Sequence, residues 1–599
     1  MRLPVFAGAR PRGWIACLAA AGCIGVLPVV LDDAFFILVA QSLAYLFIVT
    51  LGLDILVGWT GQISLGHAGL YAVGAYTSAI LSTRLGFPFW ISAPLGIFGA
   101  GVTGALLALP SLRAKGPYLA MVTVAFGFMA EVTANRWSLT GGPMGIMSIP
   151  YPKLPGGRDM NPTEYFWLVG GVALLGQVAA SNLFHSRIGR TLFALRGSEI
   201  AAETVGVNVY RYKVLAFVVS SVYAGIGGVF FAHQNAFINS DTFVFSLSVS
   251  FLTSVLMGGA GTLFGPLVGS VLLNLIPTLS AQFHEYHLYI YGGIILAIIV
   301  FLPKGIVGSV LGMRWVQRLG RPPAPIVAER MPLTADFDAR RGEPIVSVSG
   351  LGRTFGGVRA LHQVDLRVAA GEVHGLIGPN GSGKSTFVNV LTGLYSPSAG
   401  TVHLAGEPVG GSSPHRMARR GVTRTFQSIR LFGDLTVLDN VMVGYHTRLR
   451  RGFFAHLLQT RGAVAEEARF RSRAMALLEL VGIAERAHEQ AQNLSYGQQR
   501  LLEIARALAA GPRVLLLDEP AAGINPTELH QLARIIREIK AAGIAQVVIE
   551  HHMELIMGIS DVITVLDFGQ KIAEGTVDEI QKNPKVIEAY LGTQEAQRA

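Results

Sequence analysis

The residues most able to do chemistry form one run, Gly378-Pro379-Asn380-Gly381-Ser382-Gly383-Lys384-Ser385-Thr386. An apolar strand candidate, 372–377, precedes it, and a helical pattern beginning at Phe387 follows. Strand, glycine-rich loop and helix in that order make a phosphate cradle. The glycines let backbone N–H groups wrap phosphate oxygens, and the helix N-terminus adds a favourable dipole. Lys384 would reach the β- and γ-phosphates, and Ser385 would ligate Mg2+. A second apolar run, 514–517, ends in Asp518-Glu519-Pro520. Acids at the C-terminal end of a buried parallel strand point at a phosphate site. Asp518 suits the metal, directly or through water, and Glu519 suits the base that polarises an attacking water. The chemistry is hydrolysis of a nucleoside triphosphate.

Three further features narrow this. Leu494-Ser495-Tyr496-Gly497-Gln498-Gln499 opens a helix, with Ser495 as N-cap and Gln498 at capping-box spacing. Thr425-Phe426-Gln427 follows a strand-like run, and Val547-Val548-Ile549-Glu550-His551 ends a third apolar strand in a histidine. Each alone is ordinary: a capped helix, a surface glutamine, a structural histidine. Their order and spacing over about residues 345–592 resemble the ATP-binding-cassette (ABC) ATPase family. The resemblance implies that Phe355, before Gly356-Gly357, stacks on adenine, and that Gly378, Asn380, Gly381, Gly383, Lys384, Ser385 and Thr386 hold ATP. It implies that Gln427 contacts Mg2+ and reports to a membrane domain. Ser495 and Gly497 would grip the γ-phosphate bound to an opposite cassette, and His551 would stabilise the transition state. Asn525, in Ala522-Gly523-Ile524-Asn525-Pro526, stands where many cassettes carry Asp.

The elements that must position these groups divide the chain in two. Of 599 residues, 51% are hydrophobic and only 14% charged, against about 25% charged in average soluble chains. Residues 1–310 hold 15 Lys/Arg and 10 Asp/Glu, about 8% of that stretch, whereas residues 311–599 hold 33 and 28, about 21%. The first half reads as membrane and the second as cytosolic. The formal net charge of +10 splits equally between them, so there is no concentrated basic footprint and no nucleic-acid partner is expected. Two cysteines, Cys17 and Cys23, exclude a disulfide-built fold and a cysteine-rich metal site.

Apolar stretches near 14–31, 36–57, 66–83, 89–110, 117–135, 163–183, 214–233, 244–260, 263–282 and 287–303 predict about ten spans. The first imitates a secretory signal and is read as an uncleaved span. With the N-terminus in the cytosol, the inside loops carry Arg2, Arg10, Arg12, Arg113, Lys115, Arg187, Arg190, Arg196, Arg211, Lys213 and Lys304. The outside loops carry only Arg84, Arg136, Lys153 and Arg158, which satisfies the positive-inside rule. The outside loop 136–162, with Pro150 and Pro152, is expected to be structured. Asp54, Glu131, His67 and His233 are read as interfacial or helix-pairing groups rather than substrate ligands. The inside segment 185–213 contains a short helix, Glu199 to Thr204, closed by Gly206. The domains are 1–311 membrane, 312–344 a Pro-rich charged cytosolic linker, 345–592 ATPase and 593–599 a tail.

The membrane half narrows the class further. Gly61-Gln62-Ile63-Ser64-Leu65-Gly66-His67-Ala68-Gly69 with Gly74-Ala75-Tyr76, Gly116-Pro117-Tyr118-Leu119-Ala120, and Leu139-Thr140-Gly141-Gly142-Pro143 resemble the permease of branched-chain amino-acid ABC importers. So does Ile200-Ala201-Ala202-Glu203 with Gly206-Val207-Asn208. Arg424-Thr425-Phe426-Gln427, the stretch around Asn525, and the tail 583–592 resemble the ATPase of the same system, in which Asn525 is no oddity. The expectation is a polytopic α-helical membrane domain followed by an α/β P-loop ABC ATPase. It would import branched-chain or related neutral amino acids across a bacterial inner membrane with ATP and Mg2+. The resemblance implies a periplasmic substrate-binding protein. It also implies a second permease and a second ABC ATPase, or a second copy of this chain. Residues 196–208 would then be a docking segment packed near Gln427. Importers of the same family for urea, amides or aromatic acids are the alternative. An ABC exporter would have six spans with long charged cytosolic extensions, and a merely anchored ATPase would need few spans.

Overall fold

The structure is a computed structural model that describes residues 20–28, 33–111, 118–154, 156–280, 286–313, 326–329 and 342–591. The basic residues Arg2, Arg10, Arg12, Arg113 and Lys115, the cysteine Cys17, the pair Gly116-Pro117, most of the linker and the tail 593–599 lie outside these. The chain forms two compact units. One comprises Met1–Leu192, Tyr210–Ala324 and Phe453–Gln459, and the other Phe193–Val209, Pro325–Gly452 and Thr460–Ala599.

The first unit is helical: α1 (Ala34–Thr60), α2 (His67–Arg84), α3 (Phe89–Ser111), α4 (Tyr118–Arg136), α5 (Pro162–Phe184), α6 (Val209–Asn235), α7 (Phe245–Gly258), α8 (Gly265–Ser280) and α9 (His287–Phe301). Among the described residues six helical stretches are long and apolar enough to cross a membrane. They are α1, α3, α4, α5, α6 and the stretch Ser240–Gly258 that ends in α7. This differs from the expected ten. The expected span 14–31 falls mostly outside the described residues. The stretches 263–282 and 287–303 yield only the 16-residue α8 and the 15-residue α9, short of the roughly 20 residues a span needs. At 66–83, α2 has 18 residues but a more polar composition.

Two irregular segments fix where α2 and α8 begin. Helix α1 begins at Asp33, whose carboxylate accepts from Phe35 N–H, and stops at Gly61 in the left-handed region (φ 73°). Residues 61–66 then run without regular structure into α2. A second irregular segment, 259–264, separates α7 from α8. Irregular backbone survives in apolar surroundings only where its polar groups find partners. Asp54 supplies one: Oδ1 accepts from Gly261 N–H at 2.7 Å and Oδ2 from Trp59 Nε1 at 3.1 Å. Ser248 Oγ accepts from Ala68 N–H at the start of α2 (2.9 Å), and Thr123 Oγ1 from Leu65 N–H (3.0 Å). The two histidines also pair within the unit. His67 lies between Ser64 Oγ and Ser220 Oγ (2.9 and 2.7 Å), and His233 between Ser78 Oγ and Pro150 O (both 2.8 Å). The loop 136–162 is structured, as expected. It holds two 3-10 turns and β1 (Ile146–Met147), which pairs antiparallel with β2 (Phe237–Ile238).

The second unit is α/β. An antiparallel sheet has the order β4-β3-β6-β7, from β3 (Pro344–Phe355), β4 (Val358–Ala369), β6 (Ala399–Leu404) and β7 (Glu407–Pro408). A six-stranded sheet has the order β12-β11-β5-β10-β9-β8, from β5 (Val373–Ile377), β8 (Val422–Arg424), β9 (Val514–Asp518), β10 (Ala545–Ile549), β11 (Val562–Asp567) and β12 (Gln570–Gly575). All its pairs are parallel except β11 with β12. The central strands β5, β9 and β10 are wholly buried, as a parallel sheet covered on both faces requires. Their side chains alternate. Leu515, Leu517 and Val548 enter a core with the helices, whereas Leu516, Val547 and Ile549 enter a core with the antiparallel sheet.

The segment Phe193–Val209 belongs to this α/β unit. Its helix Glu199–Thr204 is capped by Ser198 Oγ, which accepts from Ala201 N–H at 3.3 Å. Ala201 and Ala202 are fully buried. Asn208 Nδ2 lies 3.3 Å from His415 Nε2 in the short helix Pro414–Arg419.

Asp54 yields a test. Asp54→Leu should leave the buried Gly261 N–H without this acceptor, at a cost of about 1–3 kcal/mol. Asp54→Asn, which keeps one oxygen acceptor, should lose less. Thermal unfolding of the purified full chain in detergent should rank wild type, Asp54→Asn, Asp54→Leu in falling order of midpoint; equal midpoints would remove the staple role.

Candidate functional site

The register of three strands assembles the site. Ile549 at the end of β10 is level with Leu376 of β5 on one side and with Asp518 of β9 on the other. The loop 378–383, the acid pair and the residues after Ile549 therefore leave the sheet at the same edge.

In the glycine loop, Gly378 has φ 149° and a Cβ there would stand 2.0 Å from Leu566 O, so no larger residue fits. Helix α10 (Lys384–Leu391) starts at Gly383 with no side-chain cap, leaving N–H groups of its first turn for an anion. Lys384 Nζ donates to Gly378 O, Pro379 O and Ser382 Oγ at 2.6, 2.8 and 3.4 Å. Burial pulls its ammonium below the usual lysine range, and the charges of Glu519 and Asp518 pull it back. Asn380, Gly381 and Ser385 are exposed. Uncapped donors, a half-buried cation and an open hydroxyl fit a nucleoside triphosphate. Phe355 ends β3 at the hairpin to β4, under the Arg353 guanidinium (4.5 Å) and edge-on to Tyr395 (5.1 Å). Ala360 O, just along β4, lies 2.6 Å from where a Cβ on Gly383 would be, which sets the hairpin beside the loop.

Glu519, Gln427 and His551 converge. Gln427 Nε2 donates to Glu519 Oε2 at 3.1 Å, and His551 Nδ1 lies 4.0 Å from the same oxygen. Glu519 has φ 47°, in the left-handed region, a conformation that costs a non-glycine residue about 1–3 kcal/mol. Its N–H donates to Ile549 O (2.9 Å), tying the two strand ends together. Asp518 is buried, and its Oδ2 accepts from Arg424 Nη2 at 2.8 Å.

Ser495 and Gly497 stand apart from this group. They begin helix α11 (Tyr496–Ala509), where the Ser495–Gln498 capping box forms as the sequence predicts. Among the described residues no hydrogen bond joins them to 378–386. Asn525 caps the helix Pro526–Ala541 through a box with Glu528, its Oδ1 accepting from Glu528 N–H at 2.9 Å; an aspartate oxygen would serve equally.

Several residues that position the site were missed in the sequence. Arg500 of α11 donates from Nη1 to Phe426 O and from Nη2 to Gln427 O, so it grips the backbone carrying Gln427. Arg506 Nη1 donates to Arg430 O at 2.6 Å. Glu503 lies between the two arginines, at 3.6 Å from Arg500 and 3.4 Å from Arg506. Burial pushes the Glu503 carboxyl up, against the pull of Arg506 and Arg500, and lowers the Arg506 guanidinium. The available signal was three charges at i, i+3 and i+6 inside a helix otherwise rich in Leu, Ile and Ala. Glu550 was passed over beside His551. Its Oε1 accepts from Ala521 N–H at 2.6 Å, and its Oε2 from the N–H groups of His551 and His552 at 3.2 and 3.4 Å. It brackets the turn after the acids against the histidine turn.

Comparison with known proteins matches residues 35–301 to the family described as branched-chain amino acid transport system / permease component. Residues 361–522 match the ABC transporter family, and 570–596 match the branched-chain amino acid ATP-binding cassette transporter family. The high-affinity branched-chain amino acid transport ATP-binding protein LivG of Escherichia coli K12 is 45% identical over 251 residues, 42% of this chain and 98% of that protein. BraF of Pseudomonas aeruginosa, of the same description, is 45% identical over 250 residues, 42% of this chain and 98% of that protein. The permease protein LivM of Escherichia coli K12 is 34% identical over 283 residues, 43% of this chain and 67% of that protein.

The buried grip on Gln427 can be tested. Arg500→Met keeps the apolar volume but removes the bonds to Phe426 O and Gln427 O and one partner of Glu503. Removing one partner of a buried pair costs about 3–5 kcal/mol. The ATPase unfolding transition of the full chain in detergent should drop in midpoint accordingly; an unchanged midpoint would mean that Arg500 is not part of the clamp.

Proposed function

The chain belongs to the branched-chain amino-acid ABC transport family, with its permease and ATP-binding components fused in one polypeptide, and we propose that it imports branched-chain or related neutral amino acids across a bacterial inner membrane. The single observation that carries the reading is the membership of Phe193–Val209, a piece of the permease half of the sequence, in the ATPase unit. There Ala201 and Ala202 are buried and Asn208 meets His415. A permease segment held by the ATPase is the joint a transport cycle needs.

In this reading the domains are the permease 1–311, the linker 312–344 and the cassette 345–592. The N-terminus and cassette lie in the cytoplasm. ATP binds with its phosphates on the loop Gly378, Asn380, Gly381, Gly383, Lys384, Ser385 and Thr386, and its adenine on Phe355. Glu519 is the base that polarises water, with Gln427 Nε2 and His551 orienting its carboxylate. Ser385, Gln427 and Asp518 would hold Mg2+, which neutralises phosphate charge when bound. The pairing of Asp518 with Arg424 suits contact through water. One phosphate cradle is one wall of a site. Ser495 and Gly497 of a second cassette complete it, so ATP joins cassettes and hydrolysis parts them. The second cassette and permease are separate subunits or a second copy of this chain, and a periplasmic binding protein delivers the amino acid.

Two measurements test this. Glu519→Gln should bind ATP normally but lose about 10²–10⁴-fold in turnover, the usual worth of a general base. Hydrolysis at the wild-type rate would move the base elsewhere. In Ala202→Trp the added ring has no room at a fully buried position, so ATP binding should persist while coupled uptake of labelled leucine into proteoliposomes falls at least tenfold. Normal coupled uptake would sink the joint.

A further inference from the structure

Residues Phe453–Gln459 come from the ATPase half of the sequence, yet they belong to the membrane unit. Asn182, two residues before the end of α5, fixes them there. Its Nδ2 donates to Leu457 O at 2.8 Å, and its own carbonyl accepts from Gln459 Nε2 at 3.1 Å. The segment is one short helix, Phe453–Leu457, prolonged by the Leu458 N–H on Phe454 O at 3.0 Å. His456 is buried. Phe454 and Leu458, at i,i+4 spacing on one face, are 73% and 71% exposed. Arg450, Arg451 and Arg461 flank the helix and are all exposed. Glu466 accepts from the Arg450 and Arg451 backbone N–H groups at 3.1 and 3.3 Å, not from their guanidinium groups.

We propose that this segment is a lipid anchor. Phe454 and Leu458 enter the bilayer leaflet on the ATPase side, and Arg450, Arg451 and Arg461 meet its anionic headgroups. The depth follows from α5. Pro162–Phe184 is one of the span-capable helices, so its last turn, which holds the segment, lies at the bilayer boundary. The proposal rests on that helix spanning the membrane, not on the identity of the substrate. An apolar pair on one face with arginines on both sides is the composition that binds an anionic lipid surface. The helix that holds the segment itself exposes a large apolar side chain, Leu175 at 69%. The ATPase half thus carries its own hold on the membrane, separate from the joint at Phe193–Val209.

The test uses the full chain with Cys17→Ala and Cys23→Ala, carrying Phe454→Cys or Leu458→Cys and a nitroxide label. It is reconstituted in vesicles of phosphatidylcholine with or without phosphatidylglycerol. Phe568→Cys, at an exposed turn of the ATPase (87%), is the aqueous control. Collision rates with oxygen and with a water-soluble nickel chelate report the surroundings. The oxygen-to-nickel ratio at 454 and 458 should exceed that at 568 at least threefold. It should rise further with phosphatidylglycerol, and that rise should vanish in Arg450→Gln/Arg451→Gln/Arg461→Gln. A ratio equal to that at 568 would place the segment in water and overturn the anchor. Exclusion of both reagents would mean that protein covers it, such as a second permease, and would overturn it too. Leucine uptake measured on the same vesicles reports the transport reading separately.

Discussion

Everything in the ATPase half depends on one constraint, the parallel register that lays β10 between β5 and β9. Ile549 is level with both Leu376 and Asp518. Three chain segments far apart in sequence must therefore end together. A slip of one residue would exchange the two faces of a strand. Leu515 and Leu517 would leave the helical core, and Leu516 would leave the core against the antiparallel sheet. The hydrophobic cost of that exchange is what holds Glu519 within reach of Gln427 and His551. The backbone bond from Glu519 N–H to Ile549 O closes the edge, and Glu550 binds the turns on either side.

A buried charge cluster does for the helical side what the register does for the sheet. Arg500, Glu503 and Arg506 are all inside. Such ions are expensive to bury and weak as a source of stability. Their value here is geometric, because the two guanidinium groups end on the carbonyls of Phe426, Gln427 and Arg430. The residues around Gln427 are thus tied to the helix that begins at Ser495.

The membrane unit obeys a different rule, that no backbone polar group in apolar surroundings goes unpaired. The irregular segments 61–66 and 259–264 persist because side chains of other helices supply partners. Asp54 serves the second and Thr123 the first. This is why Asp54, read as an interfacial or helix-pairing group, is 1% exposed and paired inside the unit, and why the apolar stretch 263–282 yields only a short helix beginning at Gly265. Hydropathy counts residues, whereas a span also needs an unbroken helix.

Much was legible in the sequence because it is local. Strand–loop–helix around Gly378–Lys384, the cap at Ser495, the acids after an apolar run and the contrast in charge between halves each depend on residues close in the chain. So did the structured loop 136–162, through its glycines and prolines. The family likeness was legible for the same reason, since its motifs are short and ordered. Tertiary structure alone decided which distant partners satisfy each polar group. Arg424 on Asp518, Arg500 on the Gln427 backbone, Asn182 on Leu457 and Asp54 on Gly261 join residues 94, 73, 275 and 207 positions apart. No periodicity records such a pairing, because a hydrogen bond is set by where two chain segments arrive after packing, and packing is decided by the whole apolar pattern at once.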